Sequence, residues 1–194
     1  MEQIRSFVAI ELNDQIREEL REIQALLKSK GLADQVRWVR HESIHVTLKF
    51  LGNVSSDRIN EIVVAIKQAC EGIGPFPLSF GGLGCFPSAS RPNVVWIGAL
   101  GDTKTLVRLQ DRIEDRLAVL GFPPEKRKYT PHLTLGRVGK HVSSKERGRL
   151  GIILQTEGID TLSEMEVHQV SLMKSVLSPA GAKYSRLATV ELEG

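Results

Sequence analysis

Only two cysteines, Cys70 and Cys85, stand among 194 residues, and they do not form a CxxC pair. That excludes a zinc ribbon, a redox dithiol and a disulfide framework, and reduced thiols are expected. Long apolar runs are missing too. The opening MEQIRSFVAIELNDQ carries acidic residues on both sides of a very short hydrophobic stretch, which suits neither a secretory leader nor a membrane span. No sign of charge dominates, since a net charge of +3 and a pI near 8.9 point to no particular partner. A soluble, cytoplasmic protein is expected, with no membrane and no obligate protein partner indicated. FGGLGCFP at residues 80–87 lacks the strand-to-helix GxGxxG context of a dinucleotide site and reads as a strand followed by a loop.

With 41% hydrophobic and 25% charged residues, the chain can bury a core as one domain of two small lobes. Its most informative residues are among its rarest. Two of the five histidines open the same phrase, HVTLKF at residues 45–50 and HLTLGR at residues 132–137. With eight threonines present, chance supplies about 0.2 HxT triplets in a chain of this length. Two at related positions point to function.

The two histidines are 87 positions apart, and the same offset superposes Val8 on Val95, Ile10 on Ile97, Arg21 on Arg108, Thr47 on Thr134, Leu48 on Leu135 and Gly52 on Gly139. Each half, 1–93 and 94–194, repeats one order of elements. SFVAIEL and NVVWIGAL read as strands. Helices are expected over about 14–29, capped by Asn13 or Asp14, and over about 103–120, capped by Asp102 or Thr103. A histidine strand follows in each half, then a helix over about 56–71 or 143–154. In the first of these Cys70 faces the core; the second contains two glycines. EVHQVSLMKS and YSRLATVELE close the chain as strands joined by the turn SPAGA. The fold class is α+β, with duplicated βαβ-like units forming two pseudo-symmetric lobes around a central cleft.

Side chains alternate along a strand, so His45, Thr47 and Lys49 share one face while Val46, Leu48 and Phe50 take the other. His132 and Thr134 share a face in the same way. If a pseudo-twofold brings the strands together, two imidazoles and two hydroxyls meet across one cleft. An imidazole titrates near ~6.5, so one member can be neutral and the other protonated, as concerted general acid and base catalysis requires. The hydroxyls suit the oxygens of a phosphate. Lys126, Arg127, Lys128, Arg137 and Lys140 add positive charge around the second motif, favouring a phosphate-bearing ligand. No carboxylate cluster or HxH spacing accompanies the histidines, so a metal site is disfavoured. His41 stands four residues before His45 in HESIH, a spacing for metal ligands on a helix, but a strand is expected there; His141 and His168 have no partner at a recognisable spacing.

The doubled HxTL motif, the contexts RWVR…HVTLKFLG and KYTPHLTLGR, and the middle stretch FGGLGCFPSASRPNVVWIG together resemble the 2H phosphoesterase superfamily. More narrowly they resemble its bacterial and archaeal RNA 2′,3′-cyclic phosphodiesterases, long described as 2′–5′ RNA ligases. The resemblance spans nearly the whole chain. It implies two antiparallel sheets flanking a water-filled cleft, and a partner that is an RNA end or nucleotide bearing a 2′,3′-cyclic phosphate. That phosphate would be hydrolysed to a 2′-phosphomonoester with neither cofactor nor metal.

Carried over residue by residue, the resemblance makes His45 the proton donor, His132 the proton acceptor, and Thr47 and Thr134 the phosphate ligands. The sequence symmetry leaves the two histidine roles exchangeable. The family's arginine five residues after the second histidine falls on Arg137. Strict alternation would turn it away from His132, but a bulge at Gly136 would re-aim it. The family's aromatic five residues after the first histidine falls on Phe50, which could stack on a base or pack in the core; Lys49 has the better parity for the cleft. Ligation or cleavage of 2′–5′ bonds by the same residues, and an RNA-binding module without catalysis, remain the alternatives.

Overall fold

The computed structural model describes residues 2–178 and 181–194. Strand β1 (Gln3–Glu11) leads into helix α1 (Asp14–Leu27), which starts where the Asn13 side chain accepts a hydrogen bond from the Ile16 amide at 2.9 Å. After a wider turn over Lys28–Leu32, the chain forms the short strand β2 (Val36–Trp38) and the first histidine strand, β3 (His45–Ser55). Helix α2 (Ile59–Cys70) and strand β4 (Phe76–Phe86) follow.

The second half runs through β5 (Val94–Gly101), α3 (Thr103–Val119), the second histidine strand β6 (His132–Val138) and α4 (Ser144–Thr156). Asp102 caps α3 by accepting from the Thr105 amide at 3.0 Å. Ser143 and Glu146 form a capping box at α4, which fixes its start despite the glycines that follow. One of them, Gly151, is needed: a Cβ there would collide with the Ala89 carbonyl. The chain closes with β7 (Met165–Val167), β8 (Gln169–Ser178) and β9 (Gly181–Glu191). Of the expected SPAGA turn, Pro179 and Ala180 lie outside the described residues.

The nine strands form one antiparallel sheet in the order β7-β4-β5-β6-β3-β1-β8-β9, with β2 paired to β6. The two lobes are the two wings of this sheet, and the histidine strands meet at its centre. There the register is a single residue pair, Val46 opposite Leu133. Those two residues are themselves 87 positions apart, so the pseudo-twofold of the duplication passes between them. Each wing also borrows from the other half of the sequence: β4 pairs with β5 in the second wing, while β8 and β9 continue β1 in the first.

One face of the sheet is covered by the helices. Ile16, Leu20, Ile66, Leu109 and Ile113 from the helices share a single buried cluster with Val8, Ile10, Val46, Leu48, Ile97, Leu133 and Leu135 from the strands. Cys70 is in that cluster, and burial holds its thiol up at about 11. On the opposite face Phe7, Ala9 and Met173 form a small separate cluster with Tyr184 against it. Alternation along β1 produces this division, sending Val8 and Ile10 to one side and Phe7 and Ala9 to the other.

Candidate active site

The two HxT motifs open onto the face opposite the helices. Counting outward from the Val46–Leu133 pair in antiparallel register sets His45 across from Thr134 and Thr47 across from His132. Each strand thus brings one imidazole and one hydroxyl to a diagonal arrangement of four side chains, all half-buried.

Both imidazoles are oriented the same way. The Nδ1–H of His45 donates to the Ser43 carbonyl at 2.8 Å, and that of His132 donates to the Thr130 carbonyl at 2.7 Å. A carbonyl only accepts, so Nδ1 carries the proton in each neutral ring and Nε2 holds a free lone pair. Ser43 and Thr130 are also 87 positions apart; the duplication has kept the tautomer as well as the residue. Tyr129 steadies the first strand by donating from its hydroxyl to the Thr47 carbonyl at 3.0 Å.

Aromatic side chains wall each imidazole. Phe7 stacks on His45 with centroids 4.7 Å apart and Tyr184 meets it edge-on at 5.2 Å. Phe86 meets His132 edge-on at 5.1 Å, with Trp96 tilted against it at 6.0 Å. Gly84 makes room for Trp96, since a Cβ there would strike the indole. Burial among these rings lowers the basicity of both histidines. At His45 it outweighs the Ser43 carbonyl and the charge of Glu11, which favour protonation, and the charge of nearby His132 lowers it further. At His132 burial outweighs the Thr130 carbonyl, and the Arg137 guanidinium lowers basicity further.

Strict alternation fails on both histidine strands, at equivalent points. In β3, Thr47 opposes Ala9 and Lys49 opposes Val8, leaving Leu48 as an extra, bulged residue; a second irregularity falls at Leu51. In β6, Thr134 opposes Trp96 and Gly136 opposes Val95, so the bulged residue is Leu135. A bulge reverses the alternation beyond it.

The sequence-based placement of Lys49 in the cleft is therefore corrected. Lys49 is 4% exposed and turns into the core, where its ammonium pairs with Glu114 and donates to the Pro123 carbonyl. Phe50 takes the outer face instead, 68% exposed, with its ring 6.1 Å from Phe7; it does not pack in the core. Arg137 emerges at the equivalent place on β6. Its charge is felt at His132 and at Tyr184 beside His45, on both sides of the cleft.

Two buried glutamines hold these bulges. Gln24 of α1 donates to the Leu135 carbonyl at 3.0 Å and to the Val39 carbonyl at 2.8 Å. Gln110 of α3 donates to the Leu48 carbonyl at 3.4 Å. At Leu48 the glutamine supplies a donor from the helix layer to a carbonyl at the bulge, while the Leu135 carbonyl also accepts from the Val39 amide at 2.9 Å, so Gln24 is its second donor. The only signal in the sequence is a polar residue inside an otherwise apolar helical neighbourhood. Glu11 has no signal of that kind. It sits directly opposite His45 across β1 and β3 and is held by Arg186 at 2.8 and 3.1 Å and by Ser171 at 2.6 Å. Burial works against its charge, but these hydrogen bonds outweigh it and keep the carboxyl below its usual range.

Among the described residues, no three His, Cys, Asp or Glu side chains group as metal ligands would. No helix among the described residues is long and apolar enough to cross a membrane.

One histidine strand written twice, with its two copies meeting on a pseudo-twofold, is the arrangement of the two-histidine phosphoesterases. The chain belongs to the LigT-like phosphoesterase family, whose model matches residues 10–96 and 100–184. It is 34% identical over 190 residues to an RNA 2′,3′-cyclic phosphodiesterase of Methanothermobacter thermautotrophicus, covering 97% of this chain and 99% of that one. A relative of the same name from Archaeoglobus fulgidus is 34% identical over 188 residues, covering 97% and 100%. The fold is similar to that of E. coli LigT in its apo form, with a TM-score of 0.76 at 24% identity and full coverage of both chains.

Proposed function

We propose that the chain hydrolyses RNA 2′,3′-cyclic phosphate ends to 2′-phosphomonoesters, with His45 as proton donor and His132 as proton acceptor. The observation that carries this reading is the matched pair of imidazoles, each with Nδ1 bound to a backbone carbonyl and Nε2 free. The relatives named RNA 2′,3′-cyclic phosphodiesterase support the choice of substrate.

In the reaction His132 Nε2 takes a proton from water as the water oxygen bonds to phosphorus. The phosphorus–3′-oxygen bond breaks on the opposite side, and His45 Nε2 gives its proton to the departing 3′-oxygen. The 2′-phosphomonoester and a free 3′-hydroxyl result, and a proton passing from His132 to His45 through solvent restores the pair. Thr47 and Thr134 hold the non-bridging oxygens, and Arg137 neutralises charge developing there. Phe50 offers a ring face for a base.

The surroundings support this division of roles. Glu11 faces His45 and favours its protonated form, whereas Arg137 disfavours protonation of His132. The test is turnover of adenosine 2′,3′-cyclic phosphate, with the product identified as the 2′- or 3′-phosphate. Replacement of either histidine by alanine is expected to lower turnover by roughly 10²–10⁴-fold, and chelators to leave the wild type unaffected. Normal turnover in either variant overturns the reading.

A further inference from the structure

A cavity of about 460 Å³ opens beside His45 on the side away from His132, between the segment before β3, the start of α1 and strand β9. Its volume falls within the ~300–1,000 Å³ typical of ligand sites. Arg17, Arg40, Lys183 and Arg186 line it against two carboxylates, Glu11 and Glu42, leaving a net positive charge. Arg186 is committed to Glu11 at 2.8 Å, and Arg40 approaches Glu42 only at 3.7 Å. Lys183 makes no ion pair among the described residues, whereas Arg17 donates from one terminal nitrogen to Asp14 at 3.1 Å, with its Nε buried and without an acceptor among them. Ser43 and Ser185 add hydroxyls to the wall, and Tyr184, edge-on to His45 at 5.2 Å, lines the cavity together with it.

The stereochemistry of the proposed reaction indicates which part of the substrate reaches this cavity. Attack in line places water and the departing 3′-oxygen on opposite sides of phosphorus. The 3′-oxygen belongs to the terminal ribose, so the ribose and everything 5′ of it extend from the side of the proton donor. His45 lines the cavity and His132 does not.

We infer that the cavity beside His45 is a subsite for the nucleotide preceding the cyclic end, with Arg40 and Lys183 receiving its phosphodiester. The chain is then an enzyme of oligonucleotide ends rather than of free cyclic nucleotides. This rests on the proposed hydrolase reading with His45 as donor.

The experiment compares kcat/KM for adenosine 2′,3′-cyclic phosphate, for the dinucleotide ApA with a 2′,3′-cyclic end, and for the same dinucleotide with an uncharged methylphosphonate linkage. A charge-assisted contact to one added phosphate favours the native dinucleotide by roughly ten- to a hundredfold over the mononucleotide. Raising the salt concentration shrinks that advantage. The methylphosphonate loses most of it, and the double variant Arg40→Gln, Lys183→Gln brings the ratio of dinucleotide to mononucleotide rates towards one. Equal rates for the three substrates, or a ratio unmoved in a folded double variant, overturn the subsite. If the wild type opens none of them, the hydrolase reading falls. Titration calorimetry with the first two ligands then judges the cavity: tighter binding of the dinucleotide supports it, and equal binding overturns it.

Discussion

Strands β3 and β6 share a plan down to the bulge and diverge past it. Up to Leu48 and Leu135 they carry the same imidazole, hydroxyl and core leucine, in the same tautomer and on the same face. Beyond the bulge, Lys49 matches Gly136 and Phe50 matches Arg137. Gly136 is bare because β2 lies over it: a Cβ there would strike the Val36 side chain and come within 3.0 Å of the Arg37 carbonyl. Lys49 faces no such strand, so its stem crosses the core to Glu114 and the Pro123 carbonyl. On the proposed reading, the duplicated part supplies what acid–base chemistry needs in two copies, and the diverged part what a substrate needs only once, a flat apolar ring on one side and a charge on the other.

The largest effects should come from the shared part. His45→Ala and His132→Ala each lower kcat by roughly 10²–10⁴-fold. Because both act in one step, the double variant falls little below the worse single one; additive losses measured by single-turnover kinetics would separate the two roles. The diverged part should then break the symmetry. Arg137→Ala lowers kcat by about 10²-fold, as loss of a donor to developing charge does, while Phe50→Ala acts on KM by roughly tenfold, the worth of one stacked base. Equal changes in kcat and KM for the two variants would refute that contrast.

Effects on stability rank below these. Lys49→Met removes the ammonium from partly buried Glu114, which keeps donors from the Gln110 side chain and the Glu125 amide, and costs about 3 kcal/mol by urea denaturation. Gln110→Leu takes the side-chain donor from the Leu48 bulge carbonyl, at about 1–3 kcal/mol; Gln24→Leu costs less at the other bulge, because the Leu135 carbonyl keeps the Val39 amide at 2.9 Å. The smallest effect concerns protons. Glu11→Gln lowers the His45 midpoint in an NMR titration and leaves that of His132 in place. It also moves the alkaline limb of kcat/KM to lower pH, because His45 must be protonated to act. In the native protein both histidines titrate below their unfolded value of about 6.5, so kcat/KM peaks on the acid side of that value. The unfolded chain then binds more protons than the native one, and stability declines as pH falls through about 6.5 towards the native midpoints. An activity optimum above neutrality would contradict these directions.

Most of the fold was legible because it depends on period and punctuation. The stripe of Leu106, Leu109, Ile113 and Leu117 marks α3 within a residue of its observed end, and Asp102 marks its start. His45, Thr47, His132 and Thr134 could be singled out from a doubled phrase. Lys49 and Phe50 were harder, since alternation is a local rule and a bulge is set by the neighbouring strand: nothing in HVTLKF says that β1 pairs past Leu48. Glu11, Phe7, Tyr184, Phe86 and Trp96 lie on other strands and reach the histidines only through sheet pairing. No spacing in the sequence encodes that adjacency, nor the exchange of β4 and β8 between wings.

That exchange makes each half depend on the other. A half-chain ending near residue 93 would hold β4 with no β5 to receive it, and would leave β1 without β8. It could complete its sheet only from a second copy of itself, about the very axis that runs between Val46 and Leu133. In connectivity the chain corresponds to two half-chains that have exchanged β4 and β8. Because both copies of the histidine strand lie in one polypeptide, each carries its own neighbours, Lys49 and Phe50 in one and Gly136 and Arg137 in the other, as two identical subunits could not.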